Sequence, residues 1–194
     1  MMMRFLLLLT SCLLALPAWA GDDLLAALGE RSRQIQSLHG QFEQQKTIAV
    51  LPTPLDSNGR FTVEQGQFVV WELLQPVQQT IRLSPAGITL ETDGKAEQIG
   101  ASMPKNGAET VTRIFMAVIS GQWQTLRDHF AIEATGDTGK WQLTLTPRSP
   151  ALASYIRQIT IRGGEFTEYL AIAETNGDNT SIRLVTDKVV RSPQ

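Results

Sequence analysis

The sequence predicts an α+β fold, one domain of about eleven antiparallel strands with two or three helices. Apolar residues alternate with polar ones over most of the chain, which is the period of a half-buried strand. Turn residues such as Asn58-Gly59, Asp93-Gly94 and Asn176-Gly177 cut that alternation into short segments. A helical period interrupts it near the start and in the middle, too seldom for a parallel βαβ rhythm.

Arg4, the apolar run Phe5 to Leu16, Pro17 and then Ala18-Trp19-Ala20 follow the order of a secretory signal. Cleavage after Ala20 is expected, with residues 21–194 forming a single domain that works outside the cytoplasm. A second reading stays open, because Leu9-Thr10-Ser11-Cys12 resembles the box at which bacterial lipoproteins are cut and acylated on cysteine. Cys12 is the single cysteine, so its removal with the signal would exclude disulfides, zinc-thiolate sites and thiol nucleophiles. No later stretch approaches the roughly 18 apolar residues of a membrane-spanning helix. A formal charge of −2 with no basic stripe argues against nucleic acid as a partner.

Leu24, Leu25, Leu28, Ile35 and Leu38 recur at helical spacing behind Asp22 and Asp23, which predicts a helix from about Asp23 to Leu38 broken by Gly40. Strands are expected over Phe42–Val50, Gly59–Val63, Gln67–Leu73, Thr80–Leu83, Ile88–Thr92 and Ala96–Ile99. From Glu109 to about Phe130 the period is helical again. Val111, Ile114, Phe115, Val118 and Ile119 share one greasy face, Gly121 ends it, and a second piece spans Trp123 to Phe130. Strands resume over Ala131–Ala134, Lys140–Thr146, Tyr155–Arg162, Glu165–Glu174 and Thr180–Thr186.

Catalytic chemistry is not legible. His39 and His129 are far apart and each stands beside an expected helix end, where a capping or surface role is usual. The sequence holds no nucleophile elbow, zinc motif, phosphate loop or dinucleotide fingerprint. Glu91, Asp93, Glu165 and Glu168 fall on edges and turns, where solvated charge is the ordinary state. The expectation is a binding protein that is not an enzyme and carries no cofactor and no metal. Phe68-Val69-Val70-Trp71 is apolar on both faces of its strand, so something must cover the second face, and the helical regions are the candidates. Sheet and helices then enclose either a packed core or a cavity.

Ser37-Leu38-His39-Gly40-Gln41-Phe42-Glu43-Gln44, Gly59-Arg60-Phe61-Thr62-Val63, Gln67-Phe68-Val69-Val70-Trp71-Glu72-Leu73-Leu74-Gln75-Pro76 and Asp93-Gly94 together resemble the outer-membrane lipoprotein carrier family, the LolA-like proteins. The resemblance implies a strongly curved antiparallel half-barrel sheet closed by a helical lid over an apolar cavity. It implies a periplasmic carrier or chaperone that shields the acyl chains of lipoproteins or other lipidated cargo on the way to the outer membrane. An inner-membrane donor, an outer-membrane acceptor and a monomeric state follow from it; the alternative is a periplasmic sensor or adaptor that binds a lipoprotein or protein partner without transport. Carried onto this sequence, the lipid-binding face would comprise Phe61, Val63, Val69, Trp71, Ile81, Leu83, Ile88 and Leu90 on the sheet. Ile114, Phe115, Val118, Ile119 and Trp123 would supply the lid. Gln65-Gly66 stands where the family has an arginine and a proline, so Gln65 is the expected lid latch, without a charge. Ala96, Glu97 and Gln98 replace the family's aromatics, and the chain stops soon after Val190 without the family's extra terminal strand, which marks a divergent member.

Overall fold

The computed structural model describes residues 21–99, 114, 117, 118 and 120–192. Residues 1–20, and with them the expected signal and Cys12, lie outside the described residues, as do Val111, Phe115 and Ile119.

Eleven strands form one antiparallel sheet. They are β1 (Ile35–Thr47), β2 (Leu55–Glu64), β3 (Phe68–Gln75), β4 (Gln79–Ser84), β5 (Gly87–Thr92), β6 (Lys95–Ile99), β7 (Phe130–Asp137), β8 (Lys140–Pro147), β9 (Ile156–Gly163), β10 (Thr167–Glu174) and β11 (Asn179–Arg191). Their spatial order is β6-β5-β4-β3-β2-β1-β11-β10-β9-β8-β7. Two meanders are thus joined by pairing of the first strand with the last, and β6 and β7 remain unpaired edges of an open sheet. Helix α1 (Gly21–Arg33) packs against β7, β1 and the one-turn helix α2 (Trp123–Leu126); another single turn, α3 (Pro150–Ala153), links β8 to β9.

The first helix is shorter than its period predicts, because Ile35 and Leu38 belong to β1. A register shift between Ile35 and Ser37 in the pairing with β11 inserts a bulge. The bulge puts Ile35 and Leu38, three residues apart, on the same buried face and so imitates a helical spacing. Gly40 does not break a helix but lies inside β1. A Cβ there would stand 2.6 Å from the Phe61 ring and 2.2 Å from the Val185 carbonyl oxygen. Val50, expected at the end of a strand, sits in the loop after β1, and Phe130, expected to end a helix, opens β7.

The inner face carries the core. Phe42, Phe61, Val63, Val69, Trp71 and Leu83 fill its β1–β4 half, and Trp141, Leu143, Leu145, Ile159, Ile161 and Leu170 its β8–β10 half. Leu24, Leu25 and Leu28 of α1, with Leu126 and Phe130, close over it. The outer face of β3 is covered differently from the sequence expectation. Val70 is flanked by its cross-strand partners Thr62 and Arg82, and the Arg82 guanidinium lies 4.7 Å from the Phe68 ring centroid. Among the described residues, long side chains of the neighbouring strands shield that face.

Three inner-face rings lie flat across a glycine on the next strand. Phe61 faces Gly40, Phe42 faces Gly59 and Trp141 faces Gly163 in register. At Gly59 an added Cβ would meet the Glu72 carbonyl oxygen at 1.8 Å and the tip of the Phe42 ring at 2.7 Å. Gly59→Val should therefore lower folding stability by about 3 kcal/mol, read as a fall in the urea midpoint. A midpoint equal to that of the unaltered protein would disprove this account of the ring packing.

Candidate functional site

The inner face is unevenly covered. Over β7–β10 the α1 leucines and Trp123 make a filled plug, with Trp123 meeting Trp141 edge-on at 5.5 Å between ring centroids. The Trp141 indole N–H donates to the Gly164 carbonyl at 2.7 Å, which gives this buried ring its polar partner. Arg31 pins the plug, because its two terminal nitrogens donate at 2.7 Å to the carbonyls of Thr138 and Gly164, in the β7–β8 and β9–β10 turns. Burial pushes the Arg31 pKa down, opposed by the charge of Glu165.

Over β3–β5 the same face is more open. Trp71 stacks on Phe42 at 3.8 Å between centroids, and Phe61 follows at 6.2 Å. Beyond this aromatic floor Leu73, Ile81, Ile88 and Leu90 share the inner face and are only half-buried, and the exposed Glu97 of β6 pairs with Leu90 at that side. Phe61, Val63, Val69, Trp71 and Leu83 of the expected lipid-binding set are buried in this floor. Of the expected lid, Ile114, Val118 and Trp123 are buried in the core cluster together with Ala117. Phe42 was not among the residues the sequence singled out, although it opens the conspicuous Phe42-Glu43-Gln44 and faces a glycine. Helix α3 was missed as well, yet Ser149-Pro150 is a readable start: the Ser149 hydroxyl accepts from the Leu152 N–H and Pro150 takes the first turn.

Gln65, in the turn between β2 and β3, reaches two other parts of the chain. Its side-chain amide donates to the Ser32 carbonyl at 3.2 Å, near the end of α1, and to the Ser120 carbonyl at 3.3 Å, just beyond the helical residues Ile114, Ala117 and Val118. One neutral amide therefore spans helix, sheet turn and mid-chain segment.

Space in the interior is small in the region enclosed by Leu28, Arg31, Ile35, Phe61 and Trp123, where the hollow measures about 30 Å³. That is room for about one water. Larger hollows of about 1140 and 1130 Å³ lie along the outer face and at the β9–β10 turn. Gln41, Glu43, Asp56, Arg60, Arg162 and Arg183 line them, and such side chains give poor shelter to hydrocarbon. Among the described residues no cluster of His, Cys, Asp and Glu has the make-up of a metal site. No described helix is long and apolar enough to cross a membrane.

The class of the fold is thus an open antiparallel sheet with helices gathered over the β7–β10 half of its inner face and half-buried apolar side chains on the β3–β5 half. The chain belongs to the outer membrane lipoprotein carrier protein LolA-like family, whose model matches residues 23–182. Among solved structures, a LolA superfamily protein from Nitrosomonas europaea is 7% identical, with 88% of this chain and 95% of that one covered and a TM-score of 0.42. A chain of the MucA/MucB complex of Pseudomonas aeruginosa is 14% identical, with 88% and 58% covered and a TM-score of 0.46. Lipoprotein LppX of Mycobacterium tuberculosis is 11% identical, with 88% and 98% covered and a TM-score of 0.41. No curated protein matches the chain. Family membership rests on the match over residues 23–182.

Replacing Gln65 by Ala should leave the sheet intact and free the Ser120 region, since each lost hydrogen bond contributes about 1 kcal/mol. Hydrogen exchange at residues 120–123 should speed up several-fold while the β8–β10 amides keep their protection. Equal exchange in both proteins would show that the amide holds nothing.

Proposed function

We propose that this protein is an exported, periplasmic carrier that shelters acyl chains of lipoproteins or of another lipidated cargo in a trough over β3–β5. The observation that carries the reading is the apolar lining that continues from Trp71 and Leu83 into the half-buried Ile81, Ile88 and Leu90, in a core cluster that also takes in Ile114 and Val118. Membership of the family supports it. Passage from an inner-membrane donor to an outer-membrane acceptor, and removal of residues 1–20 after Ala20, belong to the same proposal.

The energetics favour a closed empty state that cargo can open. A sixteen-carbon chain left in water costs on the order of 10 kcal/mol, at about 0.8 kcal/mol per methylene. Opening breaks the hydrogen bond from Gln65 to the Ser120 carbonyl, a net loss of about 1 kcal/mol. It also uncovers Ile114, Ala117 and Val118, whose exposure costs about 1.5–3 kcal/mol for each larger side chain. Cargo burial exceeds that sum, so hydrocarbon can take the place of the helical residues on the trough. When cargo leaves, Ile114 and Val118 return and the apolar floor is not left wet. The roughly 30 Å³ hollow between α1 and the sheet fits this reading, because an empty carrier that satisfies itself resists aggregation and accidental ligands.

The test is binding of a dipalmitoylated peptide, followed by quenching of tryptophan fluorescence, alongside native mass spectrometry of protein purified without detergent. Leu90→Asp puts a charge on the half-buried trough while leaving the packed floor alone, and should weaken peptide binding at least about tenfold with unchanged circular dichroism. Undiminished binding by that variant would remove the trough from the proposal. A lipid-free protein that ignores the peptide and holds a stoichiometric protein partner would overturn the carrier reading.

A further inference from the structure

Six of the seven large apolar side chains exposed among the described residues lie at one end of the sheet: Val50, Leu51, Leu55, Leu74, Val77 and Tyr155. Val50 and Leu51 are in the β1–β2 loop, Leu74 and Val77 at the β3–β4 turn, and Tyr155 between α3 and β9. The loops that meet there are physically tied. The Ala49 N–H donates to the Asp178 carboxylate at 2.9 Å, and the Thr175 N–H donates to the Tyr155 carbonyl at 3.0 Å.

The chain that builds this rim has no charge over long stretches. Residues 47–55, 73–81 and 149–156 contain no Asp, Glu, Lys or Arg, although 19% of the whole chain is charged. Charges at this end stand in the two other turns, Asp93 and Lys95 between β5 and β6 and Glu174 and Asp178 between β10 and β11, and none falls within the three apolar segments. A loop that is merely solvated has no reason to avoid charge, whereas one that enters a medium of low dielectric must. Several backbone donors of these segments are also spent. Leu51 N–H bonds the Ile48 carbonyl at 2.9 Å, Tyr155 N–H bonds the Leu152 carbonyl at 3.0 Å, and Pro52, Pro54 and Pro76 have no N–H to satisfy.

We propose that this rim seats the protein on a phospholipid surface, with Val50, Leu51 and Val77 entering the boundary between headgroups and acyl chains and Tyr155 at headgroup level. The absence of charge on all three segments selects a bilayer held by apolar insertion and not by attraction to anionic lipid. A bilayer also conforms to three separate protruding turns, which present no single flat patch for a rigid partner. Neither argument depends on the trough being an acyl site. The experiment separates the two readings, because the rim variants leave Leu90 in place and Leu90→Asp leaves the rim in place.

The probe is flotation of the purified protein with vesicles of pure phosphatidylcholine and with vesicles enriched in phosphatidylglycerol, each at low and high salt. The unaltered protein should float with both, and salt should not release it. The pair Val50→Asp with Leu51→Asp should cut the bound fraction at least about tenfold, and Val77→Asp on a separate hairpin should lower it too. Leu90→Asp should float like the unaltered protein. All four positions are exposed or half-buried, so thermal unfolding should show each variant folded. Absence of flotation, flotation confined to phosphatidylglycerol vesicles and lost in salt, or rim variants that alter self-association in place of vesicle binding would each overturn the proposal.

Discussion

Everything in this molecule depends on the pairing of β1 with β11. These are two of the longest strands, and their register runs from Ile35 opposite Arg191 to Thr47 opposite Asn179. Without it the chain would be two meanders, β1–β6 and β7–β11, each with one bare face and too few strands to enclose anything. With it, one inner face extends across eleven strands and a single helical layer can serve both halves. The cost is kinetic: the pairing joins residues far apart in sequence, so a large loop must close before the contact forms. The same pairing decides where α1 goes. The helix is separated from β1 by Gln34 alone, and so it falls onto the β7 side, where Arg31 reaches the Thr138 and Gly164 carbonyls.

Aromatic rings laid over glycines set the depth of the interior. Where Phe61 lies on Gly40 and Phe42 on Gly59, the rings rest flat against the sheet, which lets Phe42 stack on Trp71 two strands away. On the other half Trp141 lies over Gly163 and offers its face to the edge of Trp123. Side chains of that size standing upright would fill the space the helices now occupy. The arrangement is asymmetric. The β8–β10 half is covered by a helix bound through Arg31, whereas the β3–β5 half leaves Leu73, Ile81, Ile88 and Leu90 half-buried.

Much of this was legible in the residues, and the failures have causes. Every expected strand exists, because alternation and Gly-containing turns are both local signals. The first helix was overextended since a bulge at Ile35–Ser37 moved Leu38 onto the core face and copied the spacing of a helix. Val70 and Phe68 pointed to a covering layer that proves to be Arg82 and its neighbours; the aliphatic reach of an arginine is invisible to a two-letter pattern of apolar and polar. Within the site, Trp71 and Val69 could be read as inward-facing, but Phe42 could not, because its role arises from the glycine opposite on β2, a register relation that no single strand reveals. The apolar rim escaped because the sequence pattern puts Val50 in a strand and Leu51 and Val77 in connections, and only the placed strand ends bring their exposed side chains to one end of the sheet.

Gln65 joins α1, the β2–β3 turn and Ser120 without a charge. The bonds from Gln65 to the Ser32 and Ser120 carbonyls are ordinary amide hydrogen bonds, weaker than those a guanidinium would make and insensitive to salt. Ile114, Ala117 and Val118, just before Ser120, are held mainly by burial of their apolar surface in the core cluster. The apolar lining of Trp71, Ile81, Leu83, Ile88 and Leu90 ends at a charge, because Glu97 on β6 stands opposite Leu90 and shares its face of the sheet.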